Sequence, residues 1–320
     1  MTYKNLKKFL YENQNNKSYI FDLMPRCIKS KIILAVGEGA CNASSFLSSI
    51  LNERSLSHSR YISCDELELK DRFLQNGNPV EIEHLCQNAE KLIRKSNKTI
   101  GTEELLFTLS LLVLESDYVI LEISDELYES VVKKLTFIPH AILFCTPCDE
   151  RNEKLIDLAP SGVDEIFALS QKENFDYISN IKSSGGTRVS YASQNKITVY
   201  KTNLFFTEIF YFSYIYRIPS IDLNNTLLAS IAIDCARLLF ESSRATIHKG
   251  IANAKLFGDI ELYSISPNIL FKLGNSNFAL PQNVKYNVIV SLENFEAPTE
   301  NTIFCGGRDF IEAVKNKLKK

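Results

Sequence analysis

The segment Gly37-Glu38-Gly39-Ala40-Cys41-Asn42-Ala43 lies between an apolar run, Ile32–Val36, and a helical pattern that starts at Ser44. Strand, glycine turn and helix in that order build an anion site, because free backbone N–H groups and the positive helix end point at the same spot. A nucleotide phosphate is the usual guest of such a turn. A P-loop adds a lysine to neutralise phosphate charge and a Ser or Thr hydroxyl to bind Mg²⁺. No Lys or Arg stands between Gly37 and Ala43, and Glu38 brings a negative charge to the turn. The candidate anion contacts are therefore Gly37, Gly39, Asn42 and Ser44, with structural packing of the glycines as the alternative.

The acids that could serve such a site are Glu122, near the end of the apolar run Tyr118–Ile123, and Asp149-Glu150, just past the run Pro139–Cys145. Carboxylates at the C-terminal ends of parallel strands face the ligand edge of an open α/β sheet. Three carboxylates suit a hard cation such as Mg²⁺, and solvated loop acids are the alternative. Cys145-x-x-Cys148 has metal-ligand spacing, but no second pair accompanies it. The remaining cysteines read as buried free thiols of a reducing compartment. Among the histidines, His58, His84 and His248 read as surface or packed residues, and His140 as a satisfied core residue.

Stepping outward, these residues need a scaffold of alternating strands and helices. An amphipathic helix opens the chain. Strands are expected at Ile32–Val36, Ser59–Cys64, Tyr118–Ile123, Pro139–Cys145 and Val163–Ala168. Helices at Glu81–Arg94 and Thr102–Glu115 show 3.6-residue spacing of apolar positions. This order predicts a mostly parallel sheet covered on both faces. Residues 187–217, rich in Val, Tyr, Phe, Ile and Thr, predict a small antiparallel addition. A helix follows over Leu223–Phe240, with Asn224 or Asn225 as its N-cap. Another runs to Ala254 behind Ser242 or Ser243. Short strands at 259–264, 267–272, 285–291 and 302–305 and a final helix at 308–319 complete the pattern.

The chain has 320 residues, 45% hydrophobic and 23% charged, with a net charge of −2. That length predicts two domains, at 1–254 and 255–320. Net charge near zero and no large basic patch argue against a nucleic-acid partner. No apolar run approaches the ~20 residues of a membrane span. The opening residues lack a signal-peptide core, so a cytoplasmic location is expected.

Taken together, several of these stretches resemble one family, the folylpolyglutamate synthase/dihydrofolate synthase branch of the Mur ligases. Gly37–Asn42 before Ser45-Phe-Leu-Ser-Ser-Ile-Leu51 is similar to the family's TNGKGS-type P-loop and following AFLSSIL. Lys70–Val80, KDRFLQNGNPV, is similar to NERIRINGKPI. Leu121-Glu122-Ile123 matches the strand ending LEVGLGG, and Asn225–Ala232 the NALLAIAA helix. Lys249–Glu261 is similar to KGLANVKWPGRLE. The likeness runs in order from about residue 30 to 275.

The resemblance implies an α/β fold: a central P-loop-type ATPase domain, mostly parallel with a small antiparallel addition, followed by a Rossmann-like domain, here truncated. It implies ATP and Mg²⁺ as cofactors and an ATP-dependent ligation of glutamate to a folate. It adds Asn225 and Asn275 to the nucleotide-binding candidates. Glu122 takes the position of the family's Mg²⁺-binding carboxylate, and Asp149-Glu150 that of its Asp-His pair. The P-loop lysine, glycine and hydroxyl positions hold Ala40, Cys41 and Asn42. No Lys stands at Pro160–Gly162, near the family's modified lysine, and the GRLE arginine is Asp259.

Three functions are compatible with this pattern. One is a pseudoenzyme with a degenerate P-loop, kept as a binding or partner module for a protein or for a nucleotide or folate-like small molecule. The second is an active ligase with a remodelled nucleotide site, in which Glu122, Asp149 and Glu150 gather Mg²⁺. The third is an unrelated α/β binder that holds a weaker anion by backbone N–H groups alone.

Overall fold

The computed structural model describes residues 1–14, 16, 24–25, 28–63, 67–96, 100–146, 149–170, 187–193, 196–202, 205–220, 222 and 224–256. Beyond these it describes the backbone of four later strands. The molecule is mixed α/β. Helix α1 (Tyr3–Glu12) precedes β1 (Lys31–Val36), α2 (Ala40–Glu53) and β2 (His58–Tyr61). A hairpin, β3 (Phe73–Gln75) and β4 (Asn78–Pro79), turns at Asn76-Gly77, both at positive φ. Then come α3 (Ile82–Lys95), α4 (Thr102–Val113), β5 (Tyr118–Ile123), α5 (Asp125–Val131), β6 (Ala141–Phe144), α6 (Asp149–Asp157), β7 (Glu165–Ser170) and β8 (Arg188–Ser193).

These strands form one eight-stranded sheet in the order β4-β3-β2-β5-β1-β6-β7-β8, parallel throughout except for the β3–β4 hairpin edge. Strand β1 sits between β5 and β6, so the loops after all three open on one edge of the sheet. The central strands are apolar over most of their length because both faces are covered, with Glu122 of β5 as the buried exception. Ile32, Leu34 and Val36 pack toward the side that carries α1, α3, α4, α5 and α6. Ile33, Ile120 and Leu143 pack on the other side, against α2 and two later helices.

Those helices are α7 (Asn224–Leu238) and α8 (Arg244–Ala252), reached through an antiparallel sheet of β9 (Thr198–Thr202), β10 (Thr207–Tyr211) and β11 (Tyr214–Ile218). Ser243 caps α8 as expected, its Oγ accepting from Thr246 N at 3.2 Å. Strands β12 (Ile260–Ile265), β13 (Asn268–Lys272), β14 (Val288–Ser291) and β15 (Thr302–Phe304) form a further four-stranded sheet. The expected final helix at 308–319 lies outside the described residues.

Most element ends fall within a few residues of the sequence-based expectation, and three features differ in kind. Helix α2 begins at Ala40 and not at Ser44, because Ala-Cys-Asn-Ala contains no glycine and continues the helix backward. Strand β8 pairs in parallel with β7 and belongs to the main sheet, so the antiparallel addition starts only at β9. At the head of α7 the capping carboxylate is Asp222, whose Oδ1 accepts from Asn224 N at 2.8 Å, while Asn224 and Asn225 are both inside the helix. Among the described residues no helix is long and apolar enough to cross a membrane.

Candidate functional site

The site is the sheet edge where β1, β5 and β6 end. Only Gly37, Glu38 and Gly39 join β1 to α2. Gly37 adopts φ +99°, which L side chains rarely take, and its N–H is held by the Ile123 carbonyl at 3.0 Å. A Cβ there would lie 2.0 Å from Thr146 Oγ1 and 2.8 Å from Asp125 Oδ1. At Gly39 a Cβ would meet Leu228 at 2.4 Å and the Cys145 carbonyl at 2.7 Å. Packing and conformation therefore account for both glycines. Ala40, at the head of α2, is buried, and Glu38 is exposed.

Asn42 and Asn225 meet. The Asn42 amide donates to Asn225 Oδ1 at 2.9 Å, and the Asn225 amide donates to Ser220 Oγ at 2.8 Å. Ser44 turns inward, its Oγ 2.9 Å from the Cys41 carbonyl and 2.5 Å from Glu122 Oε1. Glu122 is fully buried on β5, where its register partner is Ala35 of β1. Besides Ser44 it accepts from Arg60 Nε at 2.8 Å and from Ser63 N at 2.9 Å, and Arg60 Nη2 stands 2.7 Å from its Oε1. Both carboxylate oxygens are thus engaged. Arg60 also donates to the Cys41 carbonyl at 2.7 Å.

Asp149 and Glu150 open α6, and Glu150 is exposed. Among the described residues no three His, Cys, Asp or Glu side chains gather as a metal group would require. Asn275 and Cys148 lie outside the described residues, so nothing places Asn275 at the site or Cys148 beside Cys145. Cys145 itself is buried, and burial pushes its thiol well above the usual range. Cys86 and Cys235 are also buried free thiols, and Cys41 is half-buried.

Tested against Mg²⁺, these residues do not fit. Among the described residues Glu122 is the carboxylate that Ser44 contacts, and a guanidinium already neutralises it. Tested against a nucleotide phosphate, the turn offers backbone N–H groups but no cation. Beside Gly37 stands Asp125, which accepts from Thr146 Oγ1 at 3.2 Å and from Arg151 Nε at 3.3 Å. Arg151 is shared with Glu129 at 2.6 Å.

Arg60, Ser63, Asp125 and Arg151 stand at this sheet edge, and the sequence reading did not single them out. Arg60 had a usable signal, since a lone arginine in the middle of a strand pattern needs a buried counter-charge. Beyond Glu122 a cleft of about 550 Å³ opens between α1, α4 and the end of β5. Its lining includes Lys7, Tyr61, Ser63, Arg72, Glu103 and Ser124. Arg72 is buried there and donates to the carbonyls of Ile62 and Ser63, both at 2.9 Å.

No family model matches the sequence, and no curated protein matches it. Solved structures do match in three dimensions. The Mycobacterium tuberculosis folylpolyglutamate synthase complexed with ADP aligns with TM-score 0.65 at 12% identity, covering 83% of this chain and 68% of that one. A bifunctional folylpolyglutamate synthase/dihydrofolate synthase with Mn, AMPPNP and L-glutamate bound aligns with TM-score 0.62 at 13% identity, covering 84% and 71%. The Thermotoga maritima folylpolyglutamate synthase aligns with TM-score 0.68 at 12% identity, covering 98% and 91%. The chain thus has the fold of the folylpolyglutamate synthases, the branch of the Mur ligases that its sequence resembles.

Proposed function

We propose that this chain is a folylpolyglutamate-synthase-like protein that has lost ligase chemistry and acts as a binding or partner module. Its small-molecule ligand is a nucleotide or a folate-like compound, and the cleft bordered by Glu122, Arg72 and Lys7 is the place for the latter. The observation that carries this reading is the turn. Ala40, buried at the head of α2, stands where phosphate transfer requires a cation, and no Lys or Arg occupies 37–43.

Phosphoryl transfer from ATP to a carboxylate depends almost wholly on electrostatic stabilisation of developing charge. Removing one such donor typically costs ~10²–10³ in rate. Here the lysine is gone and the metal-side carboxylate is neutralised, and these losses fall on the same reaction step. The solved structures with ADP, or with Mn, AMPPNP and L-glutamate, identify what those proteins hold; this chain shares their fold, and the reading that it lacks the P-loop lysine rests on the resemblance in its sequence.

The test is an assay for ADP and for glutamylated product with MgATP, a reduced folate and glutamate, run beside calorimetric titration of each ligand. We expect no turnover above the uncatalysed rate. Turnover that Glu122→Gln abolishes would overturn the reading in favour of an active ligase.

A further inference from the structure

Around the first turn of α2 three oxygens converge, two from α2 itself, the Cys41 carbonyl and Ser44 Oγ, and one from β5, Glu122 Oε1. Ser44 Oγ lies 2.9 Å from the first and 2.5 Å from the carboxylate. Carbonyl, hydroxyl and carboxylate are the donor set of a hard divalent cation. The group that fills the spot is a guanidinium. Arg60 Nη2 sits 2.7 Å from the Cys41 carbonyl and 2.7 Å from Glu122 Oε1, and Nε adds a second contact to that oxygen at 2.8 Å.

We infer that Arg60 is the resident cation of this oxygen site, so that the chain takes no divalent ion there and binds whatever its turn accepts without one. The inference concerns the cation alone and stands whether or not the chain turns over substrate.

Several features make the replacement permanent. Arg60 is in register with Ile120 on the neighbouring strand β5, so its backbone is fixed beside that of Glu122. Its side chain is 6% exposed and that of Glu122 is fully buried. A metal ion bonding the same oxygens at ~2.0–2.6 Å would overlap Nη2. Arg60 and Glu122 already cancel, so adding a dication to the buried pair leaves charge uncompensated. Ser63, whose N–H binds Glu122 Oε2 at 2.9 Å, closes the second oxygen.

If Arg60 holds the place of a metal, shortening it should uncover one. The experiment compares wild type, Arg60→Ser and Arg60→Ser/Glu122→Gln by loss of the free Mn²⁺ paramagnetic resonance signal and by thermal melts in Mn²⁺ or in EDTA. We expect the wild type to take up no Mn²⁺ beyond the double variant and to melt at the same midpoint in both buffers. Arg60→Ser should bind Mn²⁺ and gain several degrees from it, and the added Glu122→Gln should abolish both effects.

Wild-type Mn²⁺ binding above that of the double variant would overturn the inference, as would a folded Arg60→Ser that binds none. Should Arg60→Ser unfold in EDTA, refolding by MnCl₂ but not by KCl of equal ionic strength supports the inference. Failure of Mn²⁺ to restore the fold overturns it. Ligase turnover by wild type without Mn²⁺ uptake at Glu122 would sink the loss of catalysis proposed above and leave the role of Arg60 intact.

Discussion

The side chain of Asn42, in the first turn of α2, donates to Asn225 Oδ1, in the first turn of α7, at 2.9 Å. The two N-termini meet at the sheet edge, and Ser220 holds the Asn225 amide from the other side. Asn225 is buried, so its truncation removes one hydrogen bond from each of these neighbours. Asn225→Ala should cost about 1–3 kcal/mol of stability. A double-mutant cycle with Asn42→Ala in urea should return a coupling of roughly 0.5–1.5 kcal/mol. Purely additive effects would show that the two residues do not act as a pair.

Gly39 should tolerate no side chain, although its φ of −84° is ordinary. The obstacle is close approach. Leu228 can rotate away from an added methyl, but the Cys145 carbonyl, 2.7 Å from the ideal Cβ, belongs to the backbone beyond β6. Gly39→Ala should destabilise by about 1–3 kcal/mol, and a Leu228→Ala background should not restore the loss. Full rescue by Leu228→Ala would mean that only the side chain matters.

Gly250 marks the crossing of α8 over α2. An ideal Cβ there would fall 2.6 Å from Ile50 Cα and 2.9 Å from Ile50 N. Alanine gains up to ~1 kcal/mol over glycine in a helix interior. Separating two packed helices costs more, so Gly250→Ala should lower stability by about 1–3 kcal/mol net. Denaturation showing a more stable Gly250→Ala would contradict the close crossing.

How far the sequence exposes this architecture depends on how local each determinant is. Strand β5 is legible to the residue, because Tyr-Val-Ile-Leu-Glu-Ile is apolar at all but Glu122 and both faces are covered. The head of α2 lies four residues before the sequence-based expectation, since a glycine pair suggests a longer turn than Gly37–Gly39 forms. Strand β8 alternates polar and apolar residues as an antiparallel strand does, and at the edge of a parallel sheet the same alternation arises from half-burial. The Arg60–Glu122 pair joins residues 62 apart, and no local pattern announces a partner at that distance. What the sequence does show is each charge alone inside a strand, and each requires an answer from elsewhere.

Asp234 provides the pH test. It lies buried on α7, accepts from Tyr211 Oη at 2.8 Å, and has Arg237 Nη2 at 3.7 Å. Burial raises its carboxyl from the ordinary 3.8 to about 6, against the opposing pull of Tyr211 and Arg237. A folded-state value above the unfolded one means that the native state holds the proton more tightly. Keeping the carboxylate charged above pH 6 therefore costs on the order of 2–3 kcal/mol, and this cost is relieved as pH falls from about 6 toward 4. Asp234→Asn keeps an acceptor for Tyr211 and removes the charge. It should raise stability at pH 8 and flatten the pH dependence between 4 and 6, read by urea denaturation across that range. A variant less stable than wild type at pH 8 would show that the Arg237 contact outweighs burial, and that the carboxylate is a stabilising member of the α7–β10 contact.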